Sequence, residues 1–267
     1  MSGPHIGNQT TYFVAPLIPF TFAIEHGFDA FEFFPDGKAG GPGWASPDLD
    51  RGTRQQIRMA AEEHGMRLSV HASLGATPGS ATFWSDVELG HDIGAAVINT
   101  HMPRDAWAEF VCELAQAARR VRPLGMGLAL ENTVATSPDD FRRLFADLRA
   151  VDGEAAAVVG MCLDIGHANL HPSTRNEFLA YLDRLPEDVP VIHVHAHENW
   201  GDADSHLPLY TGPAREDDRA LVGLMERLHR RRFSGSVILE QWPTPPELLV
   251  QARDRLRALN GRGGESP

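Results

Sequence analysis

The residues with the clearest chemistry lie in one stretch, Val191 to His206, which reads VIHVHAHENWGDADSH. This stretch contains four histidines, two aspartates, one glutamate and one asparagine. Imidazole and carboxylate groups at this density are typical ligands of a divalent transition metal. A His-x-His pair alone is more often part of a solvated loop, so the rest of the chain must decide between the two interpretations.

Residues of the same types recur at or just after the ends of other short apolar runs. The candidate metal ligands are His71, His101, Glu131, Asp164, His167, His195, Asp204, His206 and Glu240. Taken singly, each is more often a hydrogen-bonded or solvated residue than a ligand. Taken together, buried carboxylates and imidazoles would each cost several kcal/mol without a countercharge, and divalent ions supply that countercharge.

These candidates need a fold that brings distant strand ends together. Eight β-like runs, each followed by a helical segment, are predicted near residues 6–10, 28–34, 66–72, 95–101, 126–132, 158–164, 190–196 and 235–241. The runs are rich in Val, Ile and Leu, as in a parallel sheet that is covered on both faces. The pattern predicts an α/β fold, a single (β/α)8 TIM barrel over residues 1–260, with a flexible tail over residues 261–267.

In such a barrel the carboxyl ends of all strands meet at one face, so the candidates are expected to converge on one cavity. A doubly wound open sheet is the alternative, but no GxGxxG phosphate turn follows the first run. The helix after the second run is predicted to span Pro47 to His64, with Ser46 as its N-cap. We expect His193 to point into the barrel interior and His197 to flank the site.

Composition limits the classes of partner. The chain has 267 residues and a formal net charge of −12, which disfavours nucleic acid because its partners usually present a basic face. Without a long apolar run or a signal-peptide pattern, no membrane segment is expected and a cytoplasmic location is predicted. The single lysine, Lys38, disfavours Schiff-base chemistry. Surface and interface helices share one apolar period, so a monomer and an oligomer both remain open.

The chain resembles the xylose isomerase-like TIM barrels, a group that includes sugar isomerases, sugar epimerases and endonuclease IV. The motifs that carry the resemblance are LENT (130–133), CLDIGHANL (162–170), HAHEN (195–199), DADSHLPL (202–209) and ILEQW (238–242). The metal-binding quartet of the epimerases maps onto Glu131, Asp164, His195 and Glu240. The resemblance implies one divalent ion, often manganese or cobalt, with Glu131 and Glu240 as an acid/base pair.

The endonuclease IV branch has further ligands, and this chain has counterparts for them in His71, His101, His167, Asp204 and His206. The resemblance therefore also implies a site for two or three zinc-like ions. Two departures concern the loop that contacts the substrate. Family members commonly read His-Asp-Asn where this chain has HEN (197–199), and many continue with Gly-Glu-Gly where this chain reads LYTGPARED (209–217).

The favoured function is a metal-dependent isomerase or epimerase of a sugar, a polyol or a phosphorylated or carboxylated derivative, in which the two glutamates transfer a proton through an enediolate. The cofactor expected is zinc, manganese, cobalt or iron, with one to three ions per chain. Trp200, Arg215 and Lys38 are the predicted substrate contacts. The runner-up is a multinuclear phosphoester hydrolase of the endonuclease IV type, and a non-catalytic barrel is the third alternative.

Overall fold

The computed structural model describes residues 3–37, 43–103 and 105–262. Lys38, one of the three predicted substrate contacts, lies outside the described residues, and so do residues 263–267 of the predicted tail. The last helix ends at Arg262, so the first two residues of the predicted tail are helical.

Eight parallel strands close into a barrel in chain order, and the last strand pairs with the first. The strands are β1 His5–Gln9, β2 Ala30–Phe33, β3 Arg67–His71, β4 Val97–His101, β5 Gly127–Glu131, β6 Val159–Asp164, β7 Val191–Ala196 and β8 Ser236–Leu239. Each of the eight predicted runs contains one of these strands or most of it. The prediction of a (β/α)8 barrel is therefore confirmed.

Helices connect the strands and form the outer layer. They are α1 Leu17–Glu25, α2 Arg51–Glu63, α3 Ala81–Ile93, α4 Trp107–Val121, α5 Pro138–Val151, α6 Gly153–Ala156, α7 Ile165–Leu170, α8 Phe178–Arg184, α9 Arg219–Arg230 and α10 Glu247–Arg262. Helix α4 illustrates why they pack on the barrel, since Phe110, Leu114 and Val121 recur at helical spacing and are buried. Among the described residues, no helix combines the length and apolar character that crossing a bilayer requires.

The start of α2 differs from the prediction. Ser46 begins a short 3-10 turn, Ser46–Asp48, and Leu49 then adopts an extended conformation. The α-helix begins at Arg51, because Asp50 accepts a hydrogen bond from the backbone N–H of Thr53 at 2.8 Å and so acts as the N-cap. The Ser46 hydroxyl instead donates to Asp86 at 2.6 Å. The prediction of Ser46 as N-cap was therefore wrong.

A β-bulge interrupts the pairing of β6 with β7. Met161 pairs with Val191 and Cys162 pairs with His193, so Ile192 is the extra residue. Ile192 packs against Val97, Ala129 and Cys162, the apolar cluster inside the barrel. Because the bulge breaks the alternation, Ile192 and His193 both face the interior. This agrees with the predicted position of His193.

Candidate metal centre

The carboxyl ends of the strands bring the predicted ligands into one ring around Glu131. Glu131 is the last residue of β5 and pairs with His101 of β4, and its carboxylate is fully buried. Glu131 Oε2 is 3.1 Å from His71 Nε2 and 3.2 Å from His195 Nδ1. Glu131 Oε1 is 3.4 Å from both His101 Nε2 and His167 Nδ1. Side chains from four other strand ends or the turns after them therefore meet at one carboxylate.

Four of these residues can offer ligand atoms to one ion. One ligand atom from each of Glu131, Asp164, His195 and Glu240 lies within 4.8 Å of the others, and all four residues are buried. His195 Nδ1 is 3.4 Å from Glu240 Oε2, so the imidazole nitrogen lies between the two glutamates. The structure thus brings the quartet together at the mouth of the barrel.

Two further groups lie on either side of the quartet. His71 and His101 form one of them with Glu131, and Asp204 and His206 form the other with His197. His197 was expected only to flank the site. Its Nε2 is 3.2 Å from Asp164 Oδ1, and its ring stacks on that of His206 with centroids 3.9 Å apart. The position of His197 is therefore that of a potential ligand.

Three histidines of the ring share one hydrogen-bond arrangement. In each, Nδ1–H donates to a backbone carbonyl while Nε2 faces a carboxylate. The Nδ1···O distances are 2.6 Å for His71 to Ala72, 2.8 Å for His167 to Asn132 and 3.0 Å for His206 to Glu240. The Nε2···O distances are 3.1 Å for His71 to Glu131, 3.2 Å for His167 to Asp204 and 3.3 Å for His206 to Asp204. Such second-shell bonds orient imidazoles that ligate metals.

Charges inside the ring compensate one another. Burial opposes ionisation of Glu131, yet the imidazoles of His195 and His101 outweigh it and hold the pKa of this carboxyl well below its usual range. Burial likewise lowers the pKa of His206, but the nearby carboxylates of Asp204 and Glu240 outweigh it and raise that pKa to about 9. Without a cation, protons on the histidines therefore neutralise the carboxylates.

The donor atoms of the ring fit a divalent transition metal. Within the described chain, Glu131 Oε1, His195 Nδ1 and Glu240 Oε2 are buried and make no hydrogen bond. Buried polar atoms normally have a partner, and these three atoms belong to members of the quartet. A mixture of imidazole nitrogen and carboxylate oxygen suits zinc, manganese, cobalt and iron. The residues present therefore match the class of cofactor that the sequence indicates.

Glu32 is a site residue that the sequence analysis missed. It lies in the middle of β2, is fully buried, and its carboxylate is 2.8 Å from both His193 Nε2 and His195 Nε2. Burial raises the pKa of Glu32, but His195 and His193 outweigh it and hold the pKa well below its usual range. The available signal was a charged residue in the otherwise apolar run AFEFF (30–34).

The two described substrate-contact candidates are not members of the groups of potential metal ligands. Trp200 is 55% exposed and lines a cavity of about 710 Å³ between α7, α8 and α9, to which His197 also contributes. Arg215 is exposed at the end of the 3-10 turn Pro213–Arg215 and does not line this cavity. Glu198 anchors that turn, because its carboxylate accepts from the N–H groups of Gly212 and Ala214 at 2.7 and 2.9 Å.

Known proteins with similar sequences or structures have the same fold. The chain is 22% identical to "Uncharacterized protein MJ1311" of Methanocaldococcus jannaschii, over 81% of this chain and 75% of that protein. A "D-tagatose 3-epimerase-like protein" has a similar structure, with a TM-score of 0.72, 18% identity, and coverage of 97% of this chain and 98% of the other.

The TTHB071 protein of Thermus thermophilus, from a crystal soaked with ZnCl2, gives a TM-score of 0.64 at 20% identity, over 97% of this chain and 99% of that one. At such identities structural similarity shows the fold alone. The family described as "Xylose isomerase-like TIM barrel" matches residues 20–259, which is most of the chain. The chain therefore belongs to the xylose isomerase-like TIM barrel family.

Proposed function

We propose that the protein is a divalent-metal-dependent isomerase or epimerase of a small sugar, polyol or related hydroxy-carbonyl compound. The observation that carries the proposal is the quartet of Glu131, Asp164, His195 and Glu240, in which two glutamates lie on either side of one imidazole nitrogen. Moving a proton between adjacent carbons requires an acid/base pair held near one bound substrate. The two glutamates supply such a pair.

In this proposal the chain's own side chains position the reacting groups. Asp164 and His195 would hold the cation together with the two glutamates, and the cation supplies Lewis-acid stabilisation of negative charge on the substrate oxygens. Asn99 Nδ2 donates to Glu131 Oε2 at 2.6 Å and fixes that carboxylate. Glu240 Oε2 has no hydrogen bond within the described chain. One glutamate then removes a proton beside the carbonyl and the other returns a proton to the substrate.

The charges around the ring favour a small substrate over a duplex nucleic acid. Within the described chain, the ion pairs of Glu131, Asp164, Asp204 and Glu240 are with histidines only. A phosphate backbone would need arginine or lysine close to the ring. The ring of Phe34 packs on His71 with centroids 4.3 Å apart and offers an apolar surface beside the ligands. Trp200, Arg215 and Lys38 remain the proposed substrate contacts.

Solvent exchange tests the proposed proton transfer directly. Protein loaded with manganese, cobalt or zinc is incubated in D2O with a panel of ketoses and sugar phosphates, and deuterium incorporation beside the carbonyl is followed by NMR. We expect metal-dependent incorporation together with formation of an isomer. A protein that takes up no metal after growth with added metal, or that exchanges no substrate proton while loaded, contradicts the proposal.

A second candidate, phosphoester hydrolysis with two or three ions, is favoured by the groups His71–His101–Glu131 and His197–Asp204–His206. Multinuclear sites of this kind clamp both the attacking and the leaving oxygen of a phosphate. Abasic-site duplex DNA assayed beside the ketose panel separates the two functions. Nicking at nanomolar protein would reverse the order of the two candidates. Bound metal is counted in the same preparation, since one ion per chain favours isomerisation and three favour hydrolysis.

A further inference from the structure

We propose that Glu32 is a positioning residue of the metal centre, which holds the His195 ring so that its Nδ1 faces Glu131 and Glu240. This inference rests on the proposed metal binding and extends it to a residue outside the ring of ligands. Glu32 lies on β2, across the barrel from β7, and its hydrogen bond to the quartet is made with His195.

Three hydrogen-bond donors converge on the Glu32 carboxylate. His195 Nε2 is 2.8 Å from Oε1, and His193 Nε2 is 2.8 Å from Oε2. The Ser69 hydroxyl donates to Oε2, also at 2.8 Å. Glu32 is fully buried, so these donors take the place that water would have around the carboxylate. The carboxylate is thus fixed from β3 and β7 together.

This arrangement selects the tautomer of His195. A carboxylate that accepts three hydrogen bonds requires the proton of a neutral His195 to be on Nε2, and Nδ1 then has a free lone pair. That lone pair lies 3.2 Å from Glu131 Oε2 and 3.4 Å from Glu240 Oε2. Nδ1 makes no hydrogen bond within the described chain. The nitrogen that Glu32 leaves free is therefore the one that completes the quartet.

His195 differs in this respect from three other histidines of the ring. His71, His167 and His206 are oriented by neutral backbone carbonyls, whereas His195 is oriented by an anion. A carboxylate partner raises the basicity of an imidazole ligand more than a carbonyl does. Loss of such a partner typically lowers metal affinity about 10- to 100-fold. We therefore expect Glu32 to control affinity without contacting the metal.

The test compares Glu32→Gln with Ser69→Ala. The first change keeps the size of the side chain but removes its charge and one acceptor oxygen. The matched control removes one hydrogen bond to the same carboxylate and does not touch His195. In competition with a chelator, we expect zinc affinity to fall about 10- to 100-fold in Glu32→Gln and less than about 3-fold in Ser69→Ala. Wild-type affinity in a folded Glu32→Gln protein would overturn the inference.

A spectroscopic readout follows the tautomer itself. In 15N-histidine NMR of the zinc-loaded wild-type protein, we expect His195 to have a protonated Nε2 with a downfield proton and an unprotonated Nδ1. A protonated Nδ1 would overturn the inference even if Glu32→Gln fails to fold. The downfield Nε2–H signal should also be lost in Glu32→Gln without metal. A wild-type protein that binds no metal refutes the proposed function, whereas an unchanged His195 signal refutes the role of Glu32.

Discussion

The two halves of the barrel interior have opposite character, although the same strands form both. The half nearer the amino ends of the strands holds the apolar cluster of Val97, Ala129, Cys162 and Ile192. Two residues further along β4, β5 and β6 are the polar residues Asn99, Glu131 and Asp164. Since side chains alternate along a strand, a step of two residues stays on the inner face and changes only the layer.

The two layers therefore have different roles, one structural and the other chemical. The apolar layer closes the barrel below the metal centre and contributes stability through packing. The polar layer has buried carboxylates whose charges are balanced by histidines, an arrangement that ligand chemistry explains and packing does not. Changes in the polar layer should therefore alter function more than they alter the stability of the metal-free protein, and changes in the apolar layer should do the reverse.

The largest effect is expected for Glu240→Gln in the polar layer. Loss of one member of the acid/base pair should reduce turnover about 10²- to 10⁴-fold, because the amide cannot exchange the proton. The variant should retain the circular dichroism spectrum of the wild type, and the exposed Glu216→Gln is the control with unchanged turnover. An unchanged rate in Glu240→Gln would remove this glutamate from the mechanism.

The second-largest effect is expected for removal of the metal. Metal at about a thousand times its dissociation constant should stabilise the folded protein by about 4 kcal/mol, since the unfolded chain lacks the assembled site. Urea unfolding with and without a chelator measures this difference. Identical midpoints in the two conditions would show that the polar layer holds no metal.

In the apolar layer, Ile192→Ala should lower the free energy of unfolding by about 2 kcal/mol. This value is near the lower end of the range for truncation of buried aliphatic side chains, because Ile192 is only half-buried. Metal affinity should stay at the wild-type value. Chemical denaturation and chelator competition on the same sample provide both readouts. A large loss of affinity with unchanged stability would contradict the separation of the two layers.

Proton release on metal binding is the smallest of the expected effects. The pKa of His206 in the metal-free protein, about 9, is above its ordinary value of 6.5. Its proton therefore stabilises the metal-free protein fully below pH 6.5, and this contribution is lost as the pH rises through 9. For His167, burial lowers the pKa, but Asp164 and Asp204 outweigh it and raise the pKa to about 12.

A ligating imidazole is neutral, so metal uptake at about pH 8 should release one proton from each protonated histidine that becomes a ligand, and His206 and His167 each contribute one where they ligate an ion. The number should fall by about one above pH 9, where His206 is already neutral in the metal-free protein. Calorimetric titration in buffers of different ionisation enthalpy measures the count. A heat of binding that does not depend on the buffer would contradict the expected release.

Sequence patterns predict the fold well because strand period and strand ends are local properties. The start of α5 is one example, since Ser137 and Asp140 form the capping box that the Ser-Pro opening indicates. Glu32 was missed because a single carboxylate in an apolar strand has no local signature of its partners, which lie 161 and 163 residues away. Ser46 was misassigned because two potential caps, Ser46 and Asp50, precede the same helix, and only the backbone decides between them.

The bulge in β7 determines which side chains of this strand face the barrel interior. Ile192 has no partner on β6, and beyond it His193, His195 and His197 follow on alternate positions that face inward. If the same residues paired with β6 without the bulge, Ile192 would lie opposite Cys162, and Val194 and Ala196 would face the interior in place of the histidines, because a shift of one residue exchanges the two faces of a strand. The unpaired position of Ile192 therefore keeps the imidazoles of β7 on the inner face of the barrel.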